Sequence, residues 1–107
     1  MKSESPSAKG ARLELCVAVD LMRQGWEVFR AMSPVGKTDL CIIKRNALLR
    51  VQVKSTTGDW ERSLRGNNVL AVVANQGPVR YFCKRKFAAM VLFESIEVLK
   101  QQRRKKK

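Results

Sequence analysis

Four polar residues stand inside otherwise apolar stretches of this chain: Glu14, Asp39, Gln52 and Lys54. A carboxylate or ammonium placed there is costly unless it is paired or binds an ion. The chain holds no histidine, and its three cysteines, Cys16, Cys41 and Cys83, form no CxxC pair. Histidine-based triads, histidine general bases and His-containing zinc sites are therefore excluded. The chemistry left rests on carboxylates, lysine and a hard oxygen-seeking cation such as Mg2+.

Two elements must position these groups. Ala11–Gln24 reads as a helix closed by Gly25. At ~100° per residue, Glu14 shares a side with Ala11, Val17, Ala18 and Leu21, while Arg12, Asp20, Arg23 and Gln24 form the wet face. Leu13 and Cys16 fall among the polar positions in this projection. Glu14 then either points into a site or snorkels outward near the helix start. Asp39–Lys44 and Leu48–Lys54 read as a hairpin turning at Asn46-Ala47, which sets Asp39 opposite Lys54. Alternation places Arg50, Gln52 and Lys54 on one face and Leu49, Val51 and Val53 on the other. Separately, Asp39 suits a turn cap and Lys54 a solvent-facing strand end. Together with Gln52, and with Glu14 on a helix over the same sheet, they surround one point.

The rest of the chain supplies a frame. Met1–Ala8 reads as a frayed lead-in, Trp26–Ala31 as a strand and Ser33–Gly36 as a turn. Ser55–Asn68 reads as a long exposed loop, Val69–Ala74 and Val79–Cys83 as strands, and Lys86–Gln102 as a terminal helix, with a strand at Val91–Phe93 the alternative. The expected class is α/β, a mixed β-sheet with a central antiparallel meander flanked by helices. Residues 1–99 form one domain and 100–107 a basic tail.

Charge indicates the partner. The 107 residues carry a formal net charge of +13. Six of those positives lie in the last eight residues, and taking six from +13 leaves +7 for residues 1–99. A basic body with 45% hydrophobic residues reads as a folded domain that meets a polyanion, DNA or RNA, with solubility alone the plainer alternative for its charge. Candidate contacts are Trp60, Arg62 and Arg65 on the loop after Lys54, and Arg80, Lys84, Arg85 and Lys86 around Tyr81 and Phe82. Core packing is the simpler role for Phe82. The longest apolar run, Phe87–Phe93, falls far short of the ~20 residues that span a bilayer. The polar opening and unpaired cysteines lead us to expect a cytoplasmic or nucleoid-associated protein, with no membrane partner and no secretion.

The order Glu14, then Gly25-Trp26-Glu27-Val28, then Asp39-Leu40, then Val51-Gln52-Val53-Lys54 resembles the PD-(D/E)XK nuclease superfamily, of which archaeal Holliday-junction resolvases are one branch. Thr38 stands where the family name has proline. Gln52 stands where most members carry Asp or Glu, which resembles the PD-(D/Q)XK variant of some group I intron homing endonucleases. The resemblance implies a restriction-endonuclease-like core and an endodeoxyribonuclease using Mg2+, with Mn2+ as a substitute. Asp39, Gln52 and the Val53 carbonyl would hold the ion, Glu14 would complete its shell, and Lys54 would orient the attacking water. Ser33 and Lys37 would lie near the phosphate. One active site per small subunit implies a homodimer or higher homo-oligomer on DNA. A non-catalytic basic DNA- or RNA-binding module on the same fold is the alternative.

Overall fold

In the computed structural model, residues 4–32, 36–74, 77–84 and 91–99 are described. The elements are α1 (Pro6–Arg23), β1 (Glu27–Arg30), β2 (Leu40–Lys44), β3 (Ala47–Lys54), α2 (Trp60–Ser63), β4 (Val69–Val73), β5 (Val79–Lys84) and β6 (Glu97–Leu99). The six strands form one sheet in the order β1-β2-β3-β4-β5-β6. Pairing is antiparallel in β1/β2, β2/β3 and β4/β5, and parallel in β3/β4 and β5/β6. The mixed α/β architecture with an antiparallel β1–β3 meander agrees with the sequence reading.

The helix α1 starts five residues earlier than its apolar pattern suggests. Ser5 caps it by accepting a hydrogen bond from the Ala8 N–H at 3.1 Å, and Pro6 opens the first turn. Residues 6–8 therefore belong to the helix rather than to a frayed lead-in. Its end is a Schellman turn: Trp26 N–H donates to the Leu21 carbonyl and Gly25 N–H to the Met22 carbonyl. Gly25 sits at φ +94, where a β-carbon would be strained. The reversal sends the chain into β1 and buries Trp26 beside Leu21.

Leu13, Val17 and Leu21 form the buried stripe of α1, spaced by four residues. Leu13 therefore joins the core instead of the polar side. The stripe packs on Leu40, Ile42, Leu49, Val51, Val53, Val69, Ala71 and Tyr81. On the opposite face Leu64, Leu70, Val72 and Phe82 make a second cluster under α2, with Trp60 and Leu99 packed against it. All five residues of β4 are buried, as a strand covered on both faces requires.

Four further expectations change. The β2–β3 turn is Arg45-Asn46, since Lys44 pairs with Ala47, and Arg45 takes φ 56. The regular ladder ends at Leu40↔Val51, and the Asp39 N–H also donates to the Val51 carbonyl, so Asp39 lies at Val51 rather than opposite Lys54. Both registers keep the same side chains inward, so alternation alone did not separate them. Residues 55–68 form a built crossover and not an open loop: Asp59 caps α2, and Leu64 and Asn67 are buried. The terminal-helix expectation fails at Glu97–Leu99, which pair as a strand beside Phe82, Cys83 and Lys84. Val91–Phe93 is not a strand either. Residues 86–90 and 100–102 of that segment lie outside the described residues, as does the basic tail.

Candidate active site and basic groove

Asp39 lies just before β2, where its backbone already joins the sheet. Its N–H donates to the Val51 carbonyl and its carbonyl accepts from the Ala31 N–H, both at 3.0 Å. Its carboxylate Oδ2 accepts the Val53 N–H at 2.8 Å. The side chain is therefore held across the β3 segment that carries Gln52, Val53 and Lys54. Glu14 and Asp39 line one side of this region, a groove of about 580 Å³ shared with Gly10, Arg30 and Met32. Glu14 Oε1 accepts from Arg30 Nε at 3.2 Å, so its charge already has a partner.

Gln52 and Lys54 face the other side of β3. They line a second groove of about 640 Å³ together with Lys37, Arg62, Arg65 and Asn67. Alternation on β3 thus brings Gln52 and Lys54 together as expected, whereas Glu14 and Asp39 line the other groove, and Asp39 reaches β3 at the Val53 amide. Gln52 Oε1 is buried and has no hydrogen-bond partner among the described residues. A buried unpaired acceptor costs free energy, and native proteins rarely leave one without a ligand, water or ion.

Metal fit can be judged from this donor set. Among the described residues no three Asp, Glu, Cys or His side chains come together. A divalent ion here would rely on the Asp39 carboxylate supplemented by neutral oxygens. The orphaned Gln52 Oε1 is such an oxygen, one residue from the strand amide that holds Asp39. The oxygens are of the kind a hard cation takes, with Glu14 and Asp39 lining one groove and Gln52 the other.

The groove beside Gln52 is basic. Lys37, Lys54, Arg62 and Arg65 are exposed on it, against the single carboxylate of Asp59. None of these four cations is in an ion pair among the described residues. Trp60 is different: it packs half-buried against the Leu64–Phe82 cluster, so its ring is structural. Arg80 pairs with Glu97 at 2.7 Å and lies over the Phe82 ring at 5.0 Å. Lys84 is exposed on β5. Ser33, Arg85 and Lys86 lie outside the described residues.

Sequence reasoning missed Asn67 and Thr38. Asn67 is 7% exposed, and it is the one buried polar residue among those described. Its Nδ2 donates to the carbonyls of Lys37 at 3.1 Å and Ser63 at 3.0 Å, and its Oδ1 accepts from Thr38 Oγ1 at 2.8 Å. An asparagine beside a second asparagine in a polar stretch signals a turn, and nothing in its spacing reveals a buried bridge.

A separate polar cluster anchors α1 to β5 on the far side of the helix. Tyr81 Oη donates to Asp20 at 2.6 Å. Burial, reinforced by that carboxylate, raises the Tyr81 hydroxyl well above its ordinary range. Arg23 bonds Glu94 and holds its carboxyl below the usual value.

No family model matches the chain, and no curated protein matches it. Among solved structures it is similar to the bacterial homing endonuclease I-Ssp6803I, with a TM-score of 0.59 at 17% identity, over 96% of this chain and 84% of that one. At that identity the likeness is one of fold. No helix among the described residues is long and apolar enough to cross a membrane.

Proposed function

We propose that this chain is a metal-dependent DNA endonuclease, hydrolysing phosphodiester bonds at a specific site or structure, and working as a homodimer or higher homo-oligomer. The observation that carries the proposal is the buried Gln52 Oε1, without a partner among the described residues, at the head of a basic groove and on the strand whose Val53 amide holds the Asp39 carboxylate. The fold shared with a homing endonuclease supports it.

Asp39, Gln52 and the Val53 carbonyl would hold Mg2+ or Mn2+, with Glu14 joining when it leaves Arg30. The ion, when bound, supplies charge that polarises a phosphodiester and lowers the pKa of water. The protein's own groups do the rest. Val53 N–H fixes the Asp39 carboxylate through Oδ2. The Lys54 ammonium, at the end of β3, balances charge that develops on the phosphate and orients the attacking water. Lys37, Arg62 and Arg65 draw the sugar-phosphate backbone into the groove without reading sequence.

The test is incubation with Mg2+ and a panel of linear, nicked and four-way DNAs. Wild type should cleave at least one of them, and Asp39→Ala should abolish cleavage. DNA binding should be kept or tightened by Asp39→Ala, since a negative charge leaves the phosphate's path. Equal cleavage by both proteins would remove the assignment to this site. The Glu14–Arg30 pair and the scarcity of carboxylates favour a second reading, a non-catalytic DNA- or RNA-binding module. Tight binding without cleavage of any panel member would select it.

A further inference from the structure

We propose that Thr38 and Asn67 form a positioning bridge that couples the basic crossover to the Asp39 strand, so that DNA held in the groove is presented to the site in register. The bridge rests on the nuclease reading only for its catalytic consequence.

Its geometry is independent of that reading. Asn67 is buried, and its Oδ1 and Nδ2 are both bonded within 3.1 Å: to the Thr38 hydroxyl and to the Lys37 and Ser63 carbonyls. One end of the bridge is therefore the segment immediately before Asp39. The other is the α2 turn that carries Arg62 and Arg65. Asn68 ties the same point to β3, donating its N–H to the Arg50 carbonyl and accepting the Arg50 N–H at Oδ1, each at 2.8 Å. Two of the four groove cations, Arg62 and Arg65, lie on the crossover, and a third, Lys37, is fixed through its own carbonyl. Without the bridge, the crossover and the Lys37–Asp39 segment would have no side-chain link among the described residues. A loose link of this kind misplaces bound phosphate relative to the carboxylate, and a shift near 1 Å is enough to cost about a hundredfold in rate.

The Thr38 position gains a role from this. It is where the resembled family name has proline, which has no hydroxyl to donate. Here the hydroxyl is the contact, and Ser should replace it whereas Val should not.

The experiment compares Thr38→Val, Thr38→Ser and Asn67→Asp. The last keeps the shape of the side chain but turns a donor toward two carbonyls into an acceptor. Three readouts are taken: single-turnover Mg2+-dependent cleavage at saturating protein, DNA affinity without metal, and amide hydrogen exchange of the free protein. Thr38→Val should cut about tenfold to a hundredfold slower with affinity within about threefold of wild type. It should also exchange faster at both Val53 and Leu64, the amides on either side of the bridge. Thr38→Ser should restore rate and exchange, and Asn67→Asp should be the most impaired. Cleavage by Thr38→Val at the wild-type rate would overturn the proposal, as would failure of Ser to rescue. Should wild type cleave nothing, the nuclease reading falls, and the exchange data decide the bridge alone. Faster exchange at both amides in Thr38→Val, reversed in Thr38→Ser, supports it. Exchange confined to one side refutes it.

Discussion

Replacing Gln52 by methionine removes the unpaired oxygen while keeping an unbranched side chain of similar length. Gln52 Oε1 is buried without a partner among the described residues, and leaving such an acceptor unsatisfied costs about 1–3 kcal/mol. Gln52→Met should therefore stabilise the metal-free protein by roughly that amount. For 107 residues, an unfolding entropy of about 2.1 cal/mol/K per residue gives ~0.22 kcal/mol/K, so each kcal/mol moves Tm by roughly 4–5 °C. The expected rise is then about 4–13 °C by thermal melting in a chelator. Mg2+ should reverse the ranking. At a concentration 100 times its Kd, a ligand that binds only the folded state stabilises it by about 2.7 kcal/mol. Wild type should gain most of that in a melt with Mg2+, and Gln52→Met should gain much less. A variant that lacks the oxygen, is no more stable without metal and responds to Mg2+ like wild type would refute the reasoning. Gln52 would then be an ordinary strand residue.

Other perturbations follow from the same structure. Gln52→Glu adds an anionic ligand in the same shape, so cleavage should persist and less Mg2+ should be needed for the half-maximal rate. Arg30→Met frees Glu14 from its 3.2 Å partner. If Glu14 joins the metal shell, Mg2+ titration of thermal stability should shift to lower concentration, and an unchanged titration excludes Glu14. Deleting residues 100–107 removes six cations. It should flatten the slope of log K against log salt on duplex DNA by up to about 5, at roughly 0.9 per phosphate contact. The preferred cut site should stay in place, as mapped on labelled DNA. Tyr81→Phe breaks a buried bond to a carboxylate and should cost about 1.5–3 kcal/mol at neutral pH. The Tyr81 hydroxyl titrates above its unfolded value near 10. Its contribution is thus full below pH ~10 and lost as pH rises beyond it, a decline that melts of the Phe variant should lack.

The local pattern of the chain determined the elements that can be read one at a time. Alternation in β3 put Gln52 and Lys54 together opposite Val51 and Val53, because side-chain direction in a strand has period two whatever surrounds it. Gly25 marked the end of α1, because the turn needs a positive φ that other residues resist. The apolar run at Val69–Ala74 announced a buried strand. What was decided only in three dimensions involved choices between locally equal solutions. Two hairpin registers kept the same residues inward, and the Arg45-Asn46 turn chose the one that sets Asp39 at the Val51 carbonyl and the Val53 amide. Leu13 looked misplaced on a helix wheel until the sheet beneath α1 defined where the buried stripe runs. Trp60 read as a nucleic-acid contact on an exposed loop, yet a second core under α2 claimed it. Glu97–Leu99 became a strand because the open edge of β5 offered unpaired amides and carbonyls, an opportunity no window of the sequence contains. Asn67 meets Thr38 and Lys37 across about thirty residues of sequence. Contacts of that range depend on the parallel β3–β4 crossover closing over the site, and periodicity carries no information about them.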